Sequence, residues 1–133
     1  MTRQAINPDE LFNSVQYGFS QITIGTGSRI ITLSGQVGWD ENENIVDKDS
    51  LAKQTVKAFE NLDAAMKAAG GSLDNVLSLR IYIVERAKSQ NKAIGDALRQ
   101  FFPTNPPTTT WIGVTSLSRE DFLVEIEAFG VLS

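Results

Sequence analysis

The sequence contains no cysteine and no histidine. Without cysteine the chain has no disulfide, no thiolate metal site and no cysteine nucleophile. Without histidine it lacks the side chain that titrates near neutral pH, and a Ser-His-Asp triad is excluded. Acid–base chemistry would therefore depend on carboxylates, Tyr, Lys, backbone groups or water, and a metal would need an oxygen cage. We expect no cofactor and no metal.

Long hydrophobic runs and an excess of positive charge are also missing. The longest apolar runs span a few residues, as in 29–33, whereas a membrane helix needs about 20. Pro8, Asp9 and Glu10 stand where a signal peptide would need an apolar stretch. The net charge is −4 and the 12 basic residues are scattered, which disfavours binding to phosphates. We therefore expect a cytoplasmic protein with no membrane and no nucleic-acid partner.

The length and composition are typical of one globular domain, residues 1–133, because the chain is 41% hydrophobic and has no linker or repeat. Two β-branched segments, 22–24 and 30–33, are separated by the turn residues 25–28 and predict a hairpin.

The acidic stretch from Asp40 resembles the start of a calcium loop. It has isoleucine and leucine where such a loop needs glycine and glutamate, so a solvated turn is the better interpretation.

Two helices are predicted from apolar residues at helical spacing. Asp49 or Ser50 caps the first, which runs to about Ala69 and stops at Gly70. Ser89 caps the second, which ends at the prolines from Pro103 onward. The remaining strands are predicted at 76–84, 108–115 and 122–131.

The predicted order β-β-α-β-α-β-β gives an α+β fold with two helices on one face of a mixed sheet. The other face would still carry side chains such as Val76, Tyr82 and Trp111. Those side chains need a cover, so we expect an oligomer.

One pair of carboxylates stands out near the C-terminus. Glu125 and Glu127 lie on the same face of the last strand, which is either a solvated surface or one wall of a cleft. The preceding strand places Thr109 and Trp111 on one face, which we expect beside the carboxylates. A carboxylate next to an indole is desolvated and suited to general acid or base chemistry.

Several short motifs, in this order and spacing, resemble the signatures of the Rid/YjgF family. The segments 19–21 and 34–38 resemble its Tyr-Ser-Gln and Ser-Gly-Gln-x-Gly motifs. The resemblance continues through Gln54, Asn61-Leu62, Ala68-Ala69-Gly70, Phe101-Phe102 and Val124-Glu125-Ile126-Glu127-Ala128.

This resemblance implies a chorismate-mutase-like fold and a homotrimer with a central barrel, with ligand clefts between subunits. The best-known activity of the family is hydrolysis of enamines and imines derived from amino acids to 2-keto acids and ammonia. An arginine there binds the substrate carboxylate through two hydrogen bonds, and a glutamate positions or activates water. The resemblance places that glutamate at Glu125 and a backbone contact to ligand at Gly35.

The sequence departs from the deaminase branch at the carboxylate-binding position. Thr109 stands in the arginine's place and Trp111 where a small residue, often cysteine, is common. Gly95 stands where the family often has asparagine, and Phe19 replaces the usual tyrosine. Loss of a buried two-pronged contact would weaken binding by about a hundredfold or more.

We therefore predict a homotrimer with an intersubunit cleft for a small, less anionic metabolite and no efficient hydrolysis of standard 2-imino acids. The candidate base is Glu125, and the candidate ligand-binding residues are Phe19, Gly35, Thr109 and Trp111. Two alternatives stay open: an imine deaminase that uses Arg29, Arg80 or Arg119, and a non-enzymatic interaction or holdase module.

Overall fold

The computed structural model describes residues 3–133. The strands are β1 (Gln4–Ile6), β2 (Ile22–Ile24), β3 (Arg29–Val37), β4 (Val76–Val84), β5 (Thr108–Val114) and β6 (Val124–Leu132). The helices are α1 (Leu51–Ala68) and α2 (Lys92–Phe101), and short 3₁₀ turns cover Val15–Tyr17, Leu73–Asn75 and Glu85–Gln90.

The main sheet has four strands in the order β3-β6-β4-β5. Strand β6 is antiparallel to both of its neighbours, and β5 is parallel to β4. The predicted α+β class with a mixed sheet is confirmed. The predicted hairpin is wrong, because Ile22–Ile24 pairs with Gln4–Ile6 in a separate sheet while β3 pairs with β6.

Both helices cover the same face of this sheet. Helix α1 packs against β3 and β6, α2 packs against α1, and their apolar stripes join the sheet in one core. The fully buried side chains include Leu51, Phe59, Leu62, Met66, Leu79, Ile81, Ile94, Leu98 and Ile126. The opposite face leaves Ile30 73% and Phe129 42% exposed.

The prediction that Val76 and Trp111 lie on the uncovered face is wrong. The pairing of β4 with β6 shifts register between Val76 and Ser78, so simple alternation along the strand does not hold there. Val76 is buried in the core. Trp111 also packs against the core, whereas Tyr82 lies on the uncovered face opposite Glu125.

Both ends of α1 agree with the sequence, whereas α2 agrees only at its C-terminal end, Phe101, which lies just before Pro103. Ser50 caps α1 by accepting a hydrogen bond from the Lys53 amide, and Gly70 follows the helix at φ +88°, a conformation that favours glycine. Helix α2 begins only at Lys92, because Glu85–Gln90 forms a 3₁₀ turn. The predicted Ser89 cap is therefore wrong.

Gln54, one of the motif residues, is fully buried and holds two loops together. Its amide nitrogen donates to the carbonyl oxygens of Asp47 at 2.8 Å and Asp121 at 3.0 Å. Its amide oxygen accepts from the backbone nitrogen of Leu123 at 2.9 Å. Buried backbone groups need such partners, so this motif position is structural.

Arg3 fixes the start of the described chain to the body of the fold. It is 4% exposed and donates to the carbonyl oxygens of Asn105, Leu73 and Val76, with its guanidinium over the Phe102 ring. Burial lowers the pKa of Arg3 because the charged form is desolvated, and the charge of nearby Asp74 opposes that shift.

Candidate functional site

Three of the predicted ligand-binding residues lie together beside α2. The rings of Phe12, Phe19 and Trp111, here called the aromatic cluster, follow one another with centroid separations of 6.1 Å. The indole Nε1 of Trp111 donates to Thr109 Oγ1 at 3.0 Å. The indole therefore folds back over Thr109 and satisfies its own polar group within β5.

Backbone contacts place Phe19 next to β5. The Ser14 hydroxyl donates to the Phe19 carbonyl oxygen at 2.8 Å, which closes the loop before it. The Ser20 amide donates to the carbonyl oxygen of Pro107 at 3.0 Å, directly before β5 begins. These two hydrogen bonds fix the peptide group between Phe19 and Ser20 and so hold Phe19 next to β5 and Trp111.

Gly95 lets the loop that ends at Gly18 approach α2 closely. A Cβ at Gly95 would lie 2.9 Å from the carbonyl oxygen of Tyr17, too close for any side chain without a shift of the loop. Arg99 holds this approach by donating from Nη1 to the carbonyl oxygen of Gln16 at 2.8 Å. The asparagine that the family often has here would not fit in this arrangement.

Two cavities open on either side of Trp111 and Asn91. The β5 cavity, of about 450 Å³, is lined by Ile83, Glu85, Lys88, Asn91, Trp111, Ile112, Gly113, Val114 and Thr115. The α2 cavity, of about 370 Å³, is lined by Gln16, Tyr17, Asn91, Lys92, Gly95, Arg99 and Trp111. Both volumes fall in the range of about 300–1,000 Å³ that is usual for small-ligand sites.

The other two predicted site residues contact each other on the opposite face of the sheet. A Cβ on Gly35 would overlap the carboxylate of Glu125, so only glycine leaves room for that side chain. Glu125 is half-buried and has no hydrogen-bond or ion-pair partner among residues 3–133. Its carboxylate is therefore free to act on a ligand or on water.

Glu127, by contrast, is engaged by its neighbours. Tyr82 Oη donates to Glu127 Oε1 at 2.6 Å, and Arg80 Nη1 lies 3.6 Å from the same oxygen. The hydrogen bond to Glu127 raises the pKa of Tyr82 above its ordinary value, because it stabilises the neutral phenol. Of the pair Glu125 and Glu127, Glu125 is therefore the one without a hydrogen-bond or ion-pair partner among the described residues.

The expectation that Trp111 contacts Glu125 of the same chain is wrong. Strand β4 lies between β5 and β6, with Tyr82 opposite Glu125 and Ile81 opposite both Trp111 and Ile126. Residues that pair directly point to the same face, so Trp111 points toward the helices and Glu125 points away from them. The indole therefore cannot desolvate the carboxylate of its own chain.

None of the three arginines considered as substitutes for the missing one lines either cavity. Arg29 donates to the carbonyl oxygen of Ser133 at the end of the sheet. Arg80 lies on the Glu127 face, and Arg119 stacks over Trp39 and pairs with Glu43.

Sequence reasoning missed the residues that α2 and the loop before β2 contribute. Asn91, Lys92 and Arg99 line the α2 cavity at three- and four-residue distances from Gly95, and Tyr17 completes the wall. This spacing, which puts side chains on one helix face, was a usable signal. It was overlooked because Gly95 was compared with the asparagine that the family often has there, and the helix face around it was not considered.

The acidic loop from Asp40 is a turn, as predicted. Asp40 Oδ1 accepts from the amides of Asn42 at 2.9 Å and Asn44 at 3.0 Å. These hydrogen bonds, that from the Asn44 amide above all, lower the pKa of the Asp40 carboxyl. Across residues 3–133, no group of three acidic side chains is arranged to hold a metal ion, and no helix has the length and apolar character of a membrane span.

Comparison with known proteins agrees with this architecture. The sequence profile of the family described as endoribonuclease L-PSP matches residues 13–132. The crystal structure of the conserved Rid family protein YyfB from Yersinia pestis, a protein of unknown function, superposes with a TM-score of 0.92 at 32% identity, covering 99% of this chain and 100% of that one.

Two curated relatives match a shorter part of the chain. A RutC family protein of Saccharolobus solfataricus is 31% identical over 73% of this chain and 75% of its own length. The 2-iminobutanoate/2-iminopropanoate deaminase of Dermatophagoides farinae is 29% identical over 77% of each chain. With the profile match spanning nearly the whole sequence, the chain belongs to the Rid/YjgF family.

Proposed function

We propose that this protein forms a homotrimer and binds a small metabolite in clefts to which two subunits contribute. The observation that carries the proposal is the separation of the candidate site into two incomplete halves. The aromatic cluster with Thr109 lies on the helix side of the sheet, and the Gly35–Glu125 contact lies on the other side. A second subunit is needed to bring the Glu125 carboxylate to the aromatic half.

The sheet face that carries Glu125 has the properties of a face that pairs with another subunit. Ile30 and Phe129 are exposed there among polar side chains of β3, β4 and β6. When a sheet has helices on one face, exposed apolar side chains on its other face are usually buried by a further layer of protein. A second copy of the same chain is the simplest such layer. Packing of these faces would form the centre of the trimer.

The chemistry proposed for the cleft is hydrolytic, with Glu125 as the base that activates water. Glu125 is suited to this role because its carboxylate is half-buried and unpaired, whereas Glu127 is already bound to Tyr82. Thr109 offers no cation, so 2-iminopropanoate and 2-iminobutanoate, the substrates in the name of the Dermatophagoides relative, are not expected to be efficient substrates.

The absence of native cysteine allows a direct test of the two-subunit cleft. Light scattering should give the mass of a trimer. The double variant Thr109→Cys/Glu125→Cys, treated with a short bismaleimide, should then yield covalent dimers and trimers on a denaturing gel. Because the two positions lie on opposite faces of one chain, a link between them within a subunit is not expected. Each single variant is the control, and a monomer in light scattering would refute the proposal.

The hydrolytic step is tested on 2-imino acids that an amino-acid oxidase generates in the presence of semicarbazide. We expect little competition with semicarbazide for the imines of alanine and 2-aminobutanoate. For a larger imine that is hydrolysed, Glu125→Gln should lower kcat by about 10²–10⁴, the usual contribution of acid–base catalysis. Glu127→Gln, on the same face, is the matched control. If no imine in the series is hydrolysed, the protein is a binding module rather than a deaminase.

A further inference from the structure

The α2 cavity is lined by two cations and by no carboxylate. Lys92 and Arg99 contribute positive charge to its wall. The Arg99 guanidinium already has partners, because it pairs with Asp96 at 2.7 Å and donates to the carbonyl oxygen of Gln16 at 2.8 Å. Lys92 has no hydrogen-bond or ion-pair partner within the part of the chain that the structure describes. Lys92 is therefore the cation of this cavity that remains available to a ligand.

The walls of the same cavity are flat and aromatic. Trp111 forms one wall, with Phe19 behind it at a centroid separation of 6.1 Å, and Tyr17 is 50% exposed at the mouth. The indole nitrogen is already bonded to Thr109. What the indole offers to a ligand is thus its apolar ring face, which favours a flat apolar or aromatic group.

The β5 cavity has a different charge balance. It contains Lys88, but Glu85 lines the same space and offsets its charge. Charge complementarity therefore favours the α2 cavity over the β5 cavity as the place where an anion binds.

We infer that Lys92 is the anion-binding residue of the aromatic half of the cleft, and that the ligand is a monoanion with a flat apolar body, such as an aromatic carboxylate. The inference rests on the proposed function and specifies the ligand class of that site. It also revises the expectation of a less anionic ligand, because Lys92 supplies positive charge that Thr109 cannot. A lysine provides a point charge on a flexible stem rather than a rigid fork, so the ligand's carboxylate is held less selectively than by arginine.

Two matched probes test this inference by the fluorescence of Trp111. A Trp39→Phe background leaves Trp111 as the sole tryptophan. The probes are 3-phenylpropanoate and its neutral isostere 3-phenylpropanamide, neither of which absorbs where the indole is excited. We expect the carboxylate to bind about 3- to 10-fold more tightly than the amide at low salt, a preference that falls as salt is added.

Lysine variants locate the charge. Lys92→Met should make the two dissociation constants equal while the amide binds as before. Lys48→Met, which removes an exposed lysine that lines neither cavity, should leave the preference intact.

If Lys88→Met rather than Lys92→Met removes the preference, the inference is wrong and the anion binds in the β5 cavity. Equal binding of both probes to the Trp39→Phe parent would overturn the role of Lys92 but leave the cleft in place. A Trp111 signal that responds to neither probe would overturn this inference, whereas the cross-linking test decides the two-subunit cleft separately.

Discussion

Replacement of Gln54 by leucine tests whether this motif position is structural rather than part of the ligand site. Leucine has nearly the same size and fills the same buried space in α1. It cannot donate to the carbonyl oxygens of Asp47 and Asp121, and it cannot accept from the Leu123 amide. The substitution therefore isolates the loss of three hydrogen bonds from the loss of packing.

The size of the effect follows from how deeply each partner is buried. The bond to the Leu123 amide is fully buried, so the orphaned N–H costs about 1–3 kcal/mol. The bonds to Asp47 and Asp121 are only partly buried, so water can partly replace them. Together we expect a loss of about 3 kcal/mol in the free energy of unfolding.

Urea unfolding followed by circular dichroism measures this loss. For an m-value of about 2 kcal/mol/M, the midpoint should fall by roughly 1.5 M. Parent and variant must be compared at one protein concentration, because unfolding of an oligomer depends on concentration. Gln100→Leu, an exposed glutamine on α2, is the control and should change stability by less than about 0.5 kcal/mol. A midpoint for Gln54→Leu as high as that of the control would refute the reasoning.

Two further predictions concern the N-terminus and the uncovered sheet face. Arg3→Met leaves three carbonyl oxygens without their guanidinium partner. The rate of amide hydrogen exchange should therefore rise in β1 and β2, while the rate in the core strands changes much less. In a Tyr17→Phe background, absorbance near 295 nm should show Tyr82 ionising above the ordinary phenol pKa of about 10, and Glu127→Gln should lower that pKa. Since the raised pKa belongs to the folded state, the stability from this bond is present below about pH 10 and is lost as the pH rises through the folded pKa. Ionisation of Tyr82 at or below pH 10 would contradict the hydrogen bond.

The sequence alone determined the elements whose signals are local. The apolar stripe and the Ser50 cap specify α1, and Gly70 ends it because the residue there needs a left-handed backbone. Alternation in 76–84 likewise specified β4. The short motifs, taken in their order and spacing, indicated the Rid/YjgF family. That resemblance singled out Glu125 and Trp111 as residues of interest.

Only the tertiary structure decided which of those residues meet. Alternation assigns each side chain to a face of its own strand, but it does not say which strands are neighbours. The position of β4 between β5 and β6 separates Trp111 from Glu125, and the register of the two pairings places them on opposite faces. The close approach of the loop to Gly95 likewise brings Tyr17 and Lys92 to one cavity, although they are 75 positions apart in the sequence. Such contacts depend on strand pairing and loop packing between distant segments, which no local pattern encodes.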